Sequence, residues 1–314
     1  MNLTARAALS RVCGYLGACL VLGMGAQYLG VVAYLTAQGS ATPGEPAVTA
    51  ARLRQVVERG DADALLWATV IAAPVFLLVT WLFRRFVDRA PLSGVGFEGR
   101  ARWSRFFLGW SAGLWLPGLL LGLGLLTGAY RWGGIGSWNG GGTHAGGATI
   151  AGGILLYALG FVLQGSSEEL IVRGYMQRTL LAWKPEGPGR LLWVVFAPSL
   201  LFAAGHLGNP AFTPLAFVNT LLAGVVFALL VLCQGSLWAA MGAHAGWNFG
   251  LGVIWSLPVS GLAPRHLLDV QLVDGASASW LLGGAYGPES GVATTLLYTG
   301  IALLLRNPRD SGAT

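Results

Sequence analysis

Ile150-Ala151-Gly152-Gly153-Ile154-Leu155-Leu156-Tyr157-Ala158-Leu159-Gly160-Phe161-Val162-Leu163 runs directly into Gln164-Gly165-Ser166-Ser167-Glu168-Glu169-Leu170-Ile171-Val172-Arg173. The first stretch carries no charge and reads as a membrane helix. The second places two adjacent carboxylates and an arginine at its end. Ionisable groups within or beside a membrane span are costly unless paired, wetted or used in function, so acids here are a functional-site hypothesis by default.

The rest of the chain supports the membrane reading. Hydrophobic residues make up 54% and charged residues only 10%, against about a quarter charged in soluble proteins, and the mean hydropathy is +0.63. Apolar runs of the length that crosses a bilayer, about 20 residues with some latitude, fall at 12–37, 64–83, 106–129, 148–166, 191–207, 214–233, 237–256 and 291–305. The expected fold is therefore all-α and polytopic, with about eight transmembrane helices. No internal repeat or sharp linker divides residues 1–314, which read as a single helical membrane domain. The first run follows Arg6 and Arg11 as a secretory signal would, but it outlasts the usual apolar core of about 7–15 residues and reads as a retained span.

Basic residues in short connections are retained on the cytoplasmic side. The connection after the second run holds Arg84, Arg85, Arg89, Arg100, Arg102 and Arg105 against Asp88 and Glu98. Arg6 and Arg11, then Arg178, Lys184 and Arg190, then Arg306 and Arg309 fall on the same side of an alternating chain. Both termini are expected in the cytoplasm, in a multi-pass protein of a bacterial inner membrane. The 38–63 connection balances Arg52, Arg54 and Arg59 with Glu45, Glu58, Asp61 and Asp63, as an external loop does. The pI of about 9.6 thus reflects topology and contact with anionic membrane lipid, and no nucleic-acid partner is expected. Cys13, Cys19 and Cys233 are odd in number and lack metal-site spacing, so buried thiols are expected rather than a disulfide framework.

Two external segments are long. Arg131 to Gly147 is glycine-rich and reads as a flexible loop with His144 solvated. Leu257 to Gly291 mixes polar residues with short apolar pieces around Leu267-Leu268 and Trp280-Leu281-Leu282, which points to a helix lying in the interface. Arg265, His266, Asp269 and Asp274 within it read as a solvated face.

Chemistry-bearing residues cluster elsewhere. Residues four apart on a helix share a face, so Glu169 and Arg173 form an ion pair in the favourable order. Glu168 has no partner at that spacing. Rotated about 100° from its neighbour, it can face a cavity, where desolvation and the adjacent carboxylate bring it toward the neutrality that a general base requires. His206, in Phe202-Ala203-Ala204-Gly205-His206, and His244, in His244-Ala245-Gly246-Trp247-Asn248, lie inside apolar stretches, and Asn248 shares a face with His244. Two imidazoles and a carboxylate are competent ligands for Zn2+. The same groups can also orient water and hold an oxyanion without a metal, and both readings stay open at this point. A single Glu–Arg pair is ordinarily a structural clamp and a single buried histidine ordinarily a core residue. Their joint occurrence, with all other acids and histidines in loops or tails, favours a site.

These motifs resemble the CPBP family of intramembrane proteases, the CaaX-protease and bacteriocin-processing, Abi-like group that includes the Ras-converting CaaX-prenyl protease, and in particular its bacterial members. Its Glu-Glu-x-x-x-Arg matches Glu168 to Arg173, its Phe-x-x-x-His matches Phe202 to His206, and its His-x-x-x-Asn matches His244 to Asn248. Gly235-Ser236-Leu237-Trp238 and Gly283 to Glu289 are similar to bacterial members as well, so the resemblance spans about 150–290. It implies a membrane metalloprotease with its site in a cavity open toward the cytoplasm. In that family Glu168 would activate water, His206, His244 and Asn248 would bind metal or stabilise the oxyanion, and Glu169 and Arg173 would support them. The expected activity is hydrolysis of a peptide bond in a membrane-associated or prenylated protein or peptide. The alternatives are a non-proteolytic scaffold or immunity protein that keeps the pocket, and, third, a proton-relaying transporter.

Overall fold

The structure, a computed structural model, describes residues 3–39, 46, 48–99, 101–135, 138, 147–183, 189–273 and 279–305. Every predicted apolar run is a helix in it. α1 is Ala5–Gln38, α2 Ala50–Arg59 and α3 Ala62–Leu82, the last extended by a π-helical turn, Phe83–Val87. α4 is Arg102–Leu126 and β1 Tyr130–Ile135. α5, Gly147–Glu169, continues through a π-helical segment, Leu170–Gln177, into α6, Arg178–Trp183. α7, Ala197–Ala204, follows a π turn at Leu191–Phe196. α8 is Pro214–Gln234, and α9, Trp238–Phe249, is extended by a π turn at Gly250–Ile254. β2, Leu268–Leu272, α10, Ser279–Leu282, and α11, Val292–Leu305, complete the chain. Among the described residues, five helices are long and apolar enough to cross a membrane, and Leu191–Ala204 and Val292–Leu305 are shorter apolar ones.

The outer surface fits that environment. α1 exposes Leu20, Val21, Met24 and Leu29, and α4 exposes Leu108, Trp115 and Leu119. In water, side chains of this size in contiguous patches mark an interaction surface; against acyl chains they match their solvent. The protein is an integral membrane protein.

Helix ends are fixed by capping and by polar contacts that sort the connections into two groups. Thr4, Asp61 and Thr213 accept from the first-turn amides of α1, α3 and α8, offsetting donors that a helix start leaves unpaired. At one end of the bundle, Arg11 and Arg84 both bind Asp88, and Arg178 reaches the carbonyls of Gly94 and Gly235. Arg105 there holds Gln234 O and Ser236 Oγ. At the other end, Arg265 grips Asp63 with Nε at 3.0 Å and Nη2 at 2.6 Å, while Tyr157 donates to the same carboxylate at 2.6 Å. The chain thus alternates between ends as the arginine pattern predicts, with the start of α1 and the end of α11 at the arginine-rich end.

α9, which carries His244 and Asn248, lies against α4 with almost no side chain between them. Gly109 and Gly113 on α4 face Gly242, Gly246 and Gly250 along α9, and small residues four apart let membrane helices approach closely. A Cβ on Gly113 would lie 2.2 Å from Ala243 O, and one on Gly246 2.3 Å from Trp110 O. Gly246→Ala is expected to force the helices apart and lower stability by about 1–3 kcal/mol, the usual cost of overpacking. Thermal melting in detergent measures this, and an unchanged midpoint would refute the close-packing account.

The two segments predicted to be external differ from the sequence reading. β1 lies within the segment predicted as a flexible loop, and it pairs antiparallel with β2, from Tyr130 opposite Leu272 to Ile135 opposite Leu268, with an irregularity between Trp132 and Gly134. The interfacial helix expected around Leu267-Leu268 is therefore a strand. Its partner lies more than 130 residues away, so local pattern had no means of showing the ladder. The Trp280 piece is helical as α10. Arg265 is not on a solvated face but in the ion pair with Asp63. His144 and Asp274 lie outside the described residues.

Candidate active site

Glu168 and Glu169 sit in the middle of a continuous helical run from Gly147 to Trp183, not at its end, because the apolar run resumes beyond Arg173. The switch to π-helical winding begins immediately after them, a device often found at functional sites. Adjacent on the helix, the two acids diverge as their rotation demands. Glu169 is fully buried, whereas the Glu168 side chain is 29% exposed and lines a cavity of about 690 Å³.

Glu169 is the hub of a buried network. Its Oε1 accepts from Arg173 Nη1 at 2.9 Å and from His244 Nδ1 at 2.9 Å. Arg173, also fully buried, donates from Nη2 to Gly224 O at 3.1 Å. The Phe202 ring lies 4.5 Å from its guanidinium carbon and the Phe227 ring 5.5 Å, so a cation that would be costly in apolar surroundings is covered by aromatic rings. Phe227 also stacks on the His244 ring at 5.0 Å. Both phenylalanines therefore hold the charged groups in place.

The hydrogen bonds set both histidine tautomers. His206 Nδ1 is 2.8 Å from Phe202 O; a carbonyl only accepts, so Nδ1 bears the proton. His244 Nδ1 faces a carboxylate already paired with an arginine and donates likewise. In the neutral rings Nε2 is then the nitrogen with a free lone pair. His244 Nε2 stands 3.8 Å from Glu168 Oε2, an oxygen that is buried without a hydrogen-bond partner among the described residues. Asn248, on the His244 face as predicted, reaches Gln164 Oε1 at 3.4 Å.

All of Glu168, His206, His244 and Asn248 line the cavity, joined by Gln164, while Glu169 and Arg173 lie behind it. Tested against a metal, the donor types suit zinc, and anchoring of each Nδ1 by a carbonyl or carboxylate is the support that metal-binding histidines receive. Among the described residues, however, no three His, Cys, Asp or Glu side chains are gathered into a ready coordination cluster.

Among the cavity residues to which the sequence reading gave no role are Gln164 and Glu289. Gln164 was visible only as part of the quoted stretch. Glu289 binds Trp247 Nε1 at 3.0 Å and Ser260 Oγ at 2.9 Å, tying the 257–291 segment to α9; its placement in a loop concealed this.

The connections that line the cavity do so through residues such as Leu53, Asn209, Ser260 and Leu262, and Leu16 of α1 lines it from the arginine-rich half of the bundle.

Residues 150–250 match the family model described as type II CAAX prenyl endopeptidase, Rce1-like. No curated protein and no solved structure matches the chain. The matched stretch begins in α5 and ends just beyond α9, so it contains all six candidate residues and excludes the 257–291 segment. From α5 to α9 this integral membrane protein carries an Rce1-like domain of the CPBP family.

Proposed function

We propose that the protein is an intramembrane endopeptidase in which Glu168 activates water against a peptide bond of a membrane-associated or prenylated substrate. One observation carries this reading: Glu169 is fully buried behind the cavity with its Oε1 held by Arg173 and His244, whereas Glu168 lines the cavity beside His244 Nε2 and, among the described residues, has no ion-pair partner other than that histidine. A clamp would need only the first acid. The match to an endopeptidase family over these residues supports the same activity.

The chemistry follows from the atoms. Glu168 takes a proton from water as the water oxygen attacks the carbonyl carbon. The tetrahedral oxyanion needs a donor, and the Asn248 amide, on the same helix face as His244, is a neutral group at the wall able to supply one. Glu168 then returns the proton to the departing nitrogen as the C–N bond breaks, leaving a carboxyl and an amine. With Nδ1 protonated, neither neutral histidine donates from Nε2, and ligation is the role that this tautomer serves. His206, His244, Glu168 and Asn248 would hold a zinc ion, which supplies Lewis-acid polarisation and a lowered water pKa when bound.

Purified protein assayed on membrane-anchored peptides, with and without a prenyl group, tests the activity. His206→Ala and His244→Ala are each expected to lose bound metal as well as cleavage, read by elemental analysis. Retention of stoichiometric metal by both variants would remove the histidines from metal binding, and active parent enzyme without stoichiometric metal would leave the metal-free route. The arginine bias supports a cytoplasmic location for both termini and for the 84–105 connection.

A further inference from the structure

The ionisable groups on the cavity wall do not balance. Among the described residues Glu168, Glu289, His206 and His244 line it, and no lysine or arginine does. Arg173 lies behind the wall and is paired with Glu169. Glu168 belongs to the site already described. Glu289 does not: it stands outside the stretch that matches the family model, in the turn just before α11. An acid inside a membrane protein with no cation beside it calls for a function.

Glu289 is held in place from several sides. Its Oε1 accepts from Trp247 Nε1, and its Oε2 accepts from both the backbone N–H and the Oγ of Ser260. Ser260 meets it from a left-handed conformation, φ +49°, which is unfavourable for a residue with a Cβ. The turn that carries Glu289 is pinned from two helices. Asn219 of α8 donates to Glu289 O and Gly291 O, both at 2.9 Å, and Thr294 of α11 donates to Pro288 O at 2.6 Å. Such support fixes a binding group before its ligand arrives. All the donors to the carboxylate are neutral, and among the described residues it forms no ion pair. An ionised carboxylate offers about four acceptor positions. Three are taken, and one on Oε1 is left.

We infer that Glu289 binds a cationic nitrogen of the substrate, supplied by a lysine or arginine side chain or by an amino terminus. The inference rests on the endopeptidase reading for the nature of the ligand, a polypeptide. Trp247 joins the two parts of the wall, since its indole binds Glu289 and the next residue of α9 is Asn248. A chain whose scissile bond lies at Glu168 and Asn248 thus has neighbouring groups beside Glu289 in the same cavity. The pair would form without displacing any donor that the carboxylate already has.

The test varies an anchored, N-acetylated peptide at one position at a time on either side of the cut bond, as lysine, norleucine or glutamate. The parent is expected to favour lysine over norleucine at one position by about tenfold or more in kcat/KM, the factor by which close charge pairs across an interface couple, and to disfavour glutamate there. Glu289→Gln is expected to cut the lysine and norleucine peptides alike. A norleucine peptide with a free amino terminus, favoured over its acetylated form, identifies the chain terminus as the source of the cation. Should Glu289→Gln not fold, Glu289→Asp, which keeps the charge and withdraws it by one methylene, is expected to lose part of the preference. Equal cutting of all the peptides by the parent, or a preference that the variants leave untouched, overturns the inference and leaves the endopeptidase reading standing. If the parent cuts none of them, fluorescence anisotropy of the labelled peptides reads binding. A preference for the cationic peptide that is lost in the variant then upholds the role of Glu289 and removes the endopeptidase reading, whereas equal binding overturns the inference.

Discussion

Glu168→Gln is expected to fold, to bind substrate and to lose most of its turnover, by about 10²–10⁴-fold, the usual worth of a positioned general base. The structure gives the reason that fold and chemistry separate at this residue. Glu168 carries no ion pair with Arg173, and its nearest charged-group contact is His244 Nε2 at 3.8 Å, longer than a hydrogen bond. Glutamine has the same shape, so the wall of the cavity is unchanged. What is lost is the ability to take a proton from water. The effect should therefore appear in kcat, with KM nearly unchanged, while the detergent melting midpoint stays with the parent. Cleavage at the parent rate by Glu168→Gln would exclude this carboxylate as the base. A fall in melting temperature of the size expected for Glu169 would instead make Glu168 a structural residue.

The different settings of the two acids were legible because they are local. An i, i+4 partner exists for Glu169 and not for Glu168, and the structure keeps that distinction as an ion pair at 2.9 Å on one side and a cavity wall on the other. The helices were legible for a similar reason: apolar runs mark them, and among the described residues five are long and apolar enough to cross a bilayer. What sequence reasoning missed is non-local. Phe227 stacks on His244, Gly224 O receives Arg173, and Glu289 holds Trp247, and none of these partners is a helical neighbour of the residue it serves. The β1–β2 ladder joins segments on either side of five helices. The glycine spacing of Gly242, Gly246 and Gly250 was present in the sequence, but only the facing helix gives it meaning.

Glu169→Gln is expected to behave in the opposite way to Glu168→Gln, with loss of stability and activity together. Glu169 Oε1 is the shared acceptor of two donors, Arg173 Nη1 and His244 Nδ1, and all three groups are buried. Glutamine keeps an oxygen but removes the charge, so Arg173 is left as a cation between two phenyl rings without a counter-ion. Removing one partner of a buried pair costs about 3–5 kcal/mol, chiefly because the other charge stays desolvated. His244 keeps at most a neutral acceptor for its Nδ1 proton in place of a carboxylate, so the ring is held less firmly and any Nε2 chemistry weakens with it. Folded yield and detergent melting read the first loss, and peptide cleavage the second. The double variant Glu169→Gln/Arg173→Met separates the causes. With the cation gone, stability is expected to recover above that of Glu169→Gln, since replacing both members of a buried pair by uncharged groups of similar volume is often neutral. Cleavage is expected to stay impaired, because His244 Nδ1 still lacks its carboxylate partner. A Glu169→Gln protein that melts with the parent would show that Arg173 does not depend on this carboxylate, and the clamp assignment would be wrong.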